Sequence, residues 1–410
     1  MPTKKPKLAV SSLRVRNFKA IVDSKTVRFT PLTVFIGNNG SGKSSLMESL
    51  ELVQRMAHED VDVALDPFLG LEHVRHKAAV AAATKQGKTK QRDPATGHLQ
   101  FVLSGWAEPR NGGLFGRRLQ RESYDASISI GTEQGGERVV VAAEVLHLRG
   151  DLYAKSVRRP RADALRDAIG RSVETWQFLD MSPREMGRLR SRRRTSVRMA
   201  LQRDGSNLAE YLLDMRDGSG RGISAQRAEE GLAAFNGFVE AMRQVLPYAS
   251  DLRPVERDVL ERKVFLELME PYGKDGLAMQ IPGWLMSTGT LRIAALLAVL
   301  RHPEPPPLIC IEEIENGLDP RTIQLLVSEI QYAVERRGIQ VMVTTHSPYF
   351  LDLVPLDTVV FVERGEKGPS FTRPADDAEL RGWAEKFSPG QLYTMNTMTG
   401  SGSRPRKRKP

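Results

Sequence analysis

Apolar positions alternate in short runs near the two ends of the chain and take helical spacing through much of its middle. Residues 13–16, 26–29 and 32–36 read as three strands separated by turn residues, expected to form one sheet. The last of them, Leu32-Thr-Val-Phe-Ile36, runs into glycines at 37, 40 and 42, after which Leu46, Leu50 and Val53 mark one face of a helix ending near residue 56. Residues 60–100 then become rich in turn formers, and 84–92 read as a loop. Strands resume at 99–106, 124–130 and 139–148, and helical character dominates 160–246, broken by an arginine-rich stretch and by glycines at 218–222. A β segment at 264–268, a helix at 291–300, a triple proline at 305–307 and a buried strand at 308–311 follow. A helix at 320–336 and strands at 339–344 and 359–362 complete the pattern, with no internal repeat and no sustained heptads.

The strand-to-helix turn carries the first chemistry. Gly37, Asn38, Asn39, Gly40, Ser41, Gly42, Lys43, Ser44 and Ser45 have the spacing of a phosphate-binding loop. Its glycines let successive backbone N–H groups converge on one point, and the following helix adds the positive end of its dipole. Lys43 is expected to reach the β- and γ-phosphates, and Ser44 to ligate Mg²⁺.

A second set of polar residues punctuates the C-terminal half. Leu308-Ile-Cys-Ile-Glu312-Glu313 is an apolar strand ending in two acids. Glu312 is expected to hold Mg²⁺ and Glu313 to orient and deprotonate the attacking water; the competing reading is a simple helix N-terminal signal. His346 ends another apolar strand, 33 residues after Glu313, where it would contact the γ-phosphate. The segment Ser287-Thr-Gly-Thr-Leu-Arg292 opens a helix whose N-terminus suits an anion.

These features, in this order, resemble the ABC-type ATPases and, within them, the OLD/RecF/SMC-like (AAA_21-type) predicted ATPases. Leu13-Arg-Val-Arg-Asn-Phe-Lys19 resembles the family's opening strand, Asp204-Gly-Ser-Asn-Leu-Ala209 its mid-chain motif and Ser388-Pro-Gly-Gln-Leu-Tyr393 its closing one. The resemblance implies an α/β fold: an ABC-ATPase head with a P-loop core sheet, an antiparallel β subdomain and an inserted, mostly helical lobe. It divides the chain into a discontinuous core (8–60 and 285–365), an inserted lobe (61–284), a cap (366–400) and basic tails (1–7 and 401–410). It makes Ser287 and Gly289 the signature motif, Asp319 the D-loop residue and His346 the switch histidine, with ATP and Mg²⁺ as cofactors. Gln177 is the candidate γ-phosphate-sensing glutamine. The implied assembly is a head-to-head homodimer, or a higher homo-oligomer, with each ATP touched by one subunit's phosphate loop and the other's Ser287. Two departures stand out: Glu312 where many ABC proteins carry Asp, and Thr288 where the subgroup is often acidic.

Composition narrows the class. With 410 residues, 40% of them hydrophobic, the chain has material for about two to three globular domains. Its one cysteine, Cys310, lies in the buried strand, so no internal disulfide can form and a reducing cytoplasm is expected. No apolar run reaches membrane-spanning length. Of the net charge of +10, eight charges sit at residues 4–7 and 404–409, which leaves little for the body. Arg184, Arg188, Arg190, Arg192, Arg193, Arg194 and Arg198 form a denser basic stretch, the last six read as a DNA contact, with a solvated face as the competing reading. Sixty-four residues follow His346, too few for a TOPRIM nuclease. The expected function is an ATPase that senses and assembles, controlling a separately encoded nuclease or toxin in antiphage defence. The alternatives are a RecF-like repair ATPase and a low-turnover, ATP-dependent scaffold.

Overall fold

In the computed structural model the described residues are 8–77, 97–107, 122–132, 139–149, 170, 172–191, 199–217, 224–257, 262–272, 277–366 and 368–398. They fall into two compact units, Met1–Trp176 with Pro355–Pro410, and Gln177–Val354.

The first unit holds a mainly antiparallel sheet in the order Ile21–Asp23, Ser12–Phe18, Leu99–Ala107, Glu122–Thr132, Val139–Arg149, with Val27–Arg28 also paired to Ser12–Phe18. Ser12–Phe18 buries Leu13, Val15 and Phe18, and Phe18 meets Phe101 edge to face at 5.9 Å. On its polar side Arg14 grips Asp23 at 2.7 Å, a hydrogen-bonded pair that holds the Asp23 carboxyl well below the usual carboxylate range. The single N-terminal sheet expected from the sequence does not form. Leu32–Ile36 lies outside that sheet, running parallel to Val359–Gly365, which folds back on Gly368–Thr372. The physical reason is in the burial pattern. All five residues of Leu32–Ile36 are buried, as a strand covered on both faces requires, whereas Ser12–Phe18 is buried only at some positions, as in a half-covered antiparallel strand.

The second unit contains the parallel strands Gln177–Leu179, Leu308–Ile311 and Gln340–Thr345, with Leu308–Ile311 in the middle. Helices Thr288–Arg301 and Pro320–Arg337 belong to this unit. Arg301 ties them together, with its guanidinium 2.6 Å from Glu329 and 3.0 Å from the Gly237 carbonyl of helix Ala225–Val245. Arg337 reaches back to the carbonyls of Leu300 and His302, capping the C-terminal end of Thr288–Arg301. Within the mainly helical stretch expected over 160–246, the strand read at 176–179 forms as Gln177–Leu179, and the arginine-rich break contains the short strand Arg190–Ser191. Strands Asp251–Arg257 and Leu277–Pro282, which the apolar pattern did not mark, flank Lys263–Tyr272 in a small antiparallel sheet. Leu277–Pro282 buries none of its residues, so it carries no alternation to detect.

Candidate nucleotide-binding and hydrolysis residues

In the first unit, helix Lys43–Met56 starts directly after a loop that only glycine can build. A Cβ on Gly37 would fall 2.0 Å from the backbone oxygen of Val362, and one on Gly42 2.5 Å from the Pro369 ring. Gly40 and Gly42 have φ of 70° and 110°. Gly42 occupies the cap position with no side chain to use up the first helical N–H groups, so they can serve an anion. Asn38, Asn39, Gly40 and Ser44 are exposed along the loop, with Ser45 half-buried behind them. Lys43, only 6% exposed, donates to the carbonyls of Gly37 at 2.7 Å and Asn38 at 3.1 Å, so its ammonium is held inside the loop's curve. Among the described residues, Ser41 Oγ is buried with no hydrogen-bond partner. Arg364 donates to the Gly40 carbonyl at 3.2 Å from the neighbouring hairpin. Glycine cradle, open helix end and tethered lysine together fit a polyphosphate.

In the second unit, the acids stand at the carboxyl end of the wholly buried Leu308–Ile311, where open parallel sheets bind ligands. Glu312 extends the ladder through its N–H to Leu179, and its carboxylate accepts from Arg203 at 2.9 Å. Glu313 is exposed and has a left-handed backbone, φ 46°. Its N–H donates to Thr344 Oγ1 at 2.9 Å, and its carbonyl accepts from Arg292 at 2.9 Å. His346 follows Gln340–Thr345, and its N–H donates to Glu315 at 2.6 Å. Glu312, Glu313, Glu315 and His346 therefore gather at the carboxyl ends of two adjacent strands.

Ser287 is an exposed N-cap, accepting from the Thr290 N–H at 3.1 Å. Gly289 lies against the neighbouring loop: a Cβ there would sit 2.5 Å from the Gly317 carbonyl oxygen. Asp319 caps helix Pro320–Arg337, accepting from the N–H groups of Arg321 and Thr322 and from the Thr322 hydroxyl at 2.6 Å. The Thr322 hydroxyl in particular holds its carboxyl below the ordinary range. Gln177 starts its strand, two residues before Leu179, and its amide donates to the Leu201 carbonyl at 2.7 Å. Arg188 and Arg190 share Glu185, which offsets part of their charge, while Arg192, Arg193, Arg194 and Arg198 lie outside the described residues. Arg203, Arg292 and Thr344 escaped the sequence reading. The only signals for the two arginines are position: Arg203 precedes Asp204-Gly-Ser-Asn-Leu-Ala209, and Arg292 ends the segment that Ser287 opens.

Over 88% of this chain and 97% of the other, the structure resembles a crystal structure of an SMC head bound to the C-winged helix domain of ScpA, at TM-score 0.52 and 15% identity. The fold resembles that of an SMC head domain. An SMC head with an extended coiled coil, bound to the C-terminal domain of ScpA from Pyrococcus furiosus, aligns at TM-score 0.49 and 14% identity over 92% of this chain and 99% of that one. The Thermotoga maritima SMC head aligns at 0.42 and 13% over 89% and 98%. Residues 9–91 match a model described as "AAA ATPase domain". Residues 163–352 match one described as "AAA domain, putative AbiEii toxin, Type IV TA system". No curated protein matches. The expected architecture, an α/β ATPase head with a P-loop sheet and an antiparallel β subdomain, agrees with this SMC-like fold. Among the described residues, no helix is long and apolar enough to cross a membrane.

Proposed function

We propose that this chain binds ATP at Gly37–Ser45 and hydrolyses it as an OLD/RecF-like member of the SMC-like ATPase heads. What carries the reading is the phosphate loop, where glycines tolerate no side chain and a buried lysine lies beneath an open helix end. Lys43 and the helix N-terminus neutralise phosphate charge, and Ser44 and Glu312 are the hard oxygen donors for Mg²⁺. Bound magnesium would spread the charge that builds on the transferred phosphoryl group. Glu313 takes the proton of the attacking water, its exposed carboxylate being open to solvent while its main chain is fixed. His346 contacts the γ-phosphate, and Ser287, with its helix end, is offered to the ATP of a second copy.

The ATP-closed homodimer then acts as a switch on a separately encoded effector, a nuclease or toxin, in antiphage defence. The toxin-system wording of the model matched by residues 163–352 supports that role. Glu313→Gln tests the chemistry: phosphate release should fall about 10²- to 10⁴-fold while ATP binding persists. Equal release from wild type and variant would remove Glu313 from the mechanism. One observation favours a second reading, ATP held with little turnover. Arg203 already occupies one oxygen of Glu312 at 2.9 Å, so a metal would have to share that carboxylate.

A further inference from the structure

A left-handed backbone is unfavourable for any residue with a Cβ, and at a functional position it persists only where the surroundings impose it. Glu313 is such a residue, with φ 46°. Both of its main-chain polar groups are held by side chains distant in sequence, Thr344 Oγ1 on its N–H and Arg292 on its carbonyl, each at 2.9 Å. Arg292 does more than make one bond. The same guanidinium donates to the Met181 carbonyl at 3.1 Å and approaches the Glu312 carbonyl at 3.5 Å. It is 5% exposed, a costly burial for a cation that its two Nη groups offset, while Nε has no hydrogen-bond partner among the described residues. Asp180, Glu313 and Glu315 supply compensating negative charge. Arg292 stands five residues along the helix that Ser287 caps.

We infer that Arg292 is a positioning residue: it clamps the main chain of Glu313 in its left-handed conformation and makes the acid and the Ser287 helix move as one piece. The inference rests on the reading of Glu313 as general base. It gives a physical route by which whatever engages Ser287 is felt at the acid, because a displacement of the helix carries the Glu313 carbonyl with it. The rigid planar fork matters here, since only a guanidinium can span the Met181 and Glu313 carbonyls at once.

Arg292→Lys keeps the charge and loses the fork. In the full chain its kcat should fall about 10- to 100-fold through misplacement of the acid. KM for ATP, and affinity for a fluorescent ATP analogue, should change by less than about twofold. Thr344→Val, which frees the other side of the same residue, should give the same split. A purely structural role would lower the folded fraction and leave kcat per nucleotide-binding site intact, and that result in both variants overturns the inference. A second arm does not depend on turnover. Glu313→Gly adopts a positive φ without strain, so Arg292→Lys should destabilise the Glu313→Gly protein less than it destabilises wild type in urea. Equal destabilisation in the two backgrounds overturns the clamp. Absence of turnover in the wild type would defeat the base assignment alone, and the urea comparison would still decide the clamp.

Discussion

Gly289→Ala measures how tightly the Ser287 helix is seated on the loop that leads to Asp319. The added Cβ would lie 2.5 Å from the Gly317 carbonyl oxygen, where real Cβ contacts essentially never come within 3.0 Å, so the two segments must part by about half an ångström. The obstacle is backbone and cannot rotate away, which places the penalty toward the upper part of the usual overpacking range of about 1–3 kcal/mol. Alanine returns up to about 1 kcal/mol of helix propensity over glycine. The steric term wins, leaving a net loss of about 1–2 kcal/mol. That corresponds to a fall in melting temperature of about 2–8 °C for a unit of this size. Gly382 supplies the internal control: it lies in helix Ala378–Ala384 and, its chain neighbours and own helix backbone aside, no described residue comes within 4 Å of an added Cβ, so Gly382→Ala should be neutral or stabilising. Thermal unfolding followed by circular dichroism reads both. If Gly289→Ala raised the melting temperature as Gly382→Ala does, the close approach of the two segments would be wrong.

Lys43→Ala should weaken ATP binding about 10- to 100-fold, the worth of one hydrogen bond from a charged donor. Isothermal titration checks this, and unchanged affinity would remove the lysine from the nucleotide site. Asp319→Asn tests the helix cap through pH. The folded carboxyl titrates below its unfolded value, so its stabilisation is present above about pH 4 and is lost as pH falls through the folded pKa. Wild type should therefore lose stability relative to Asp319→Asn across that acid range, and urea midpoints that run parallel from pH 6 to pH 2 would contradict it.

The proposed phosphate loop was legible because its requirements are local. Glycine at 37, 40 and 42, lysine at 43 and a strand before them are consecutive in the chain, and covalent spacing alone brings their backbone N–H groups together. The buried strand ending in Glu312 and Glu313, and the helix opened by Ser287, were visible for the same reason. Sheet membership was not. Ser12–Phe18 and Leu32–Ile36 are close in sequence yet belong to different sheets, since pairing is decided by which faces find apolar cover. Nor could sequence disclose what holds the acids. Arg292, Thr344 and Arg203 reach Glu313 and Glu312 from 21, 31 and 109 residues away. The residue types proposed to bind phosphate and activate water are fixed by the chain itself. The left-handed turn at Glu313, and the side chains that impose it, exist only once separate helices and strands have packed together, because a hydrogen bond across such distances is made by tertiary structure alone.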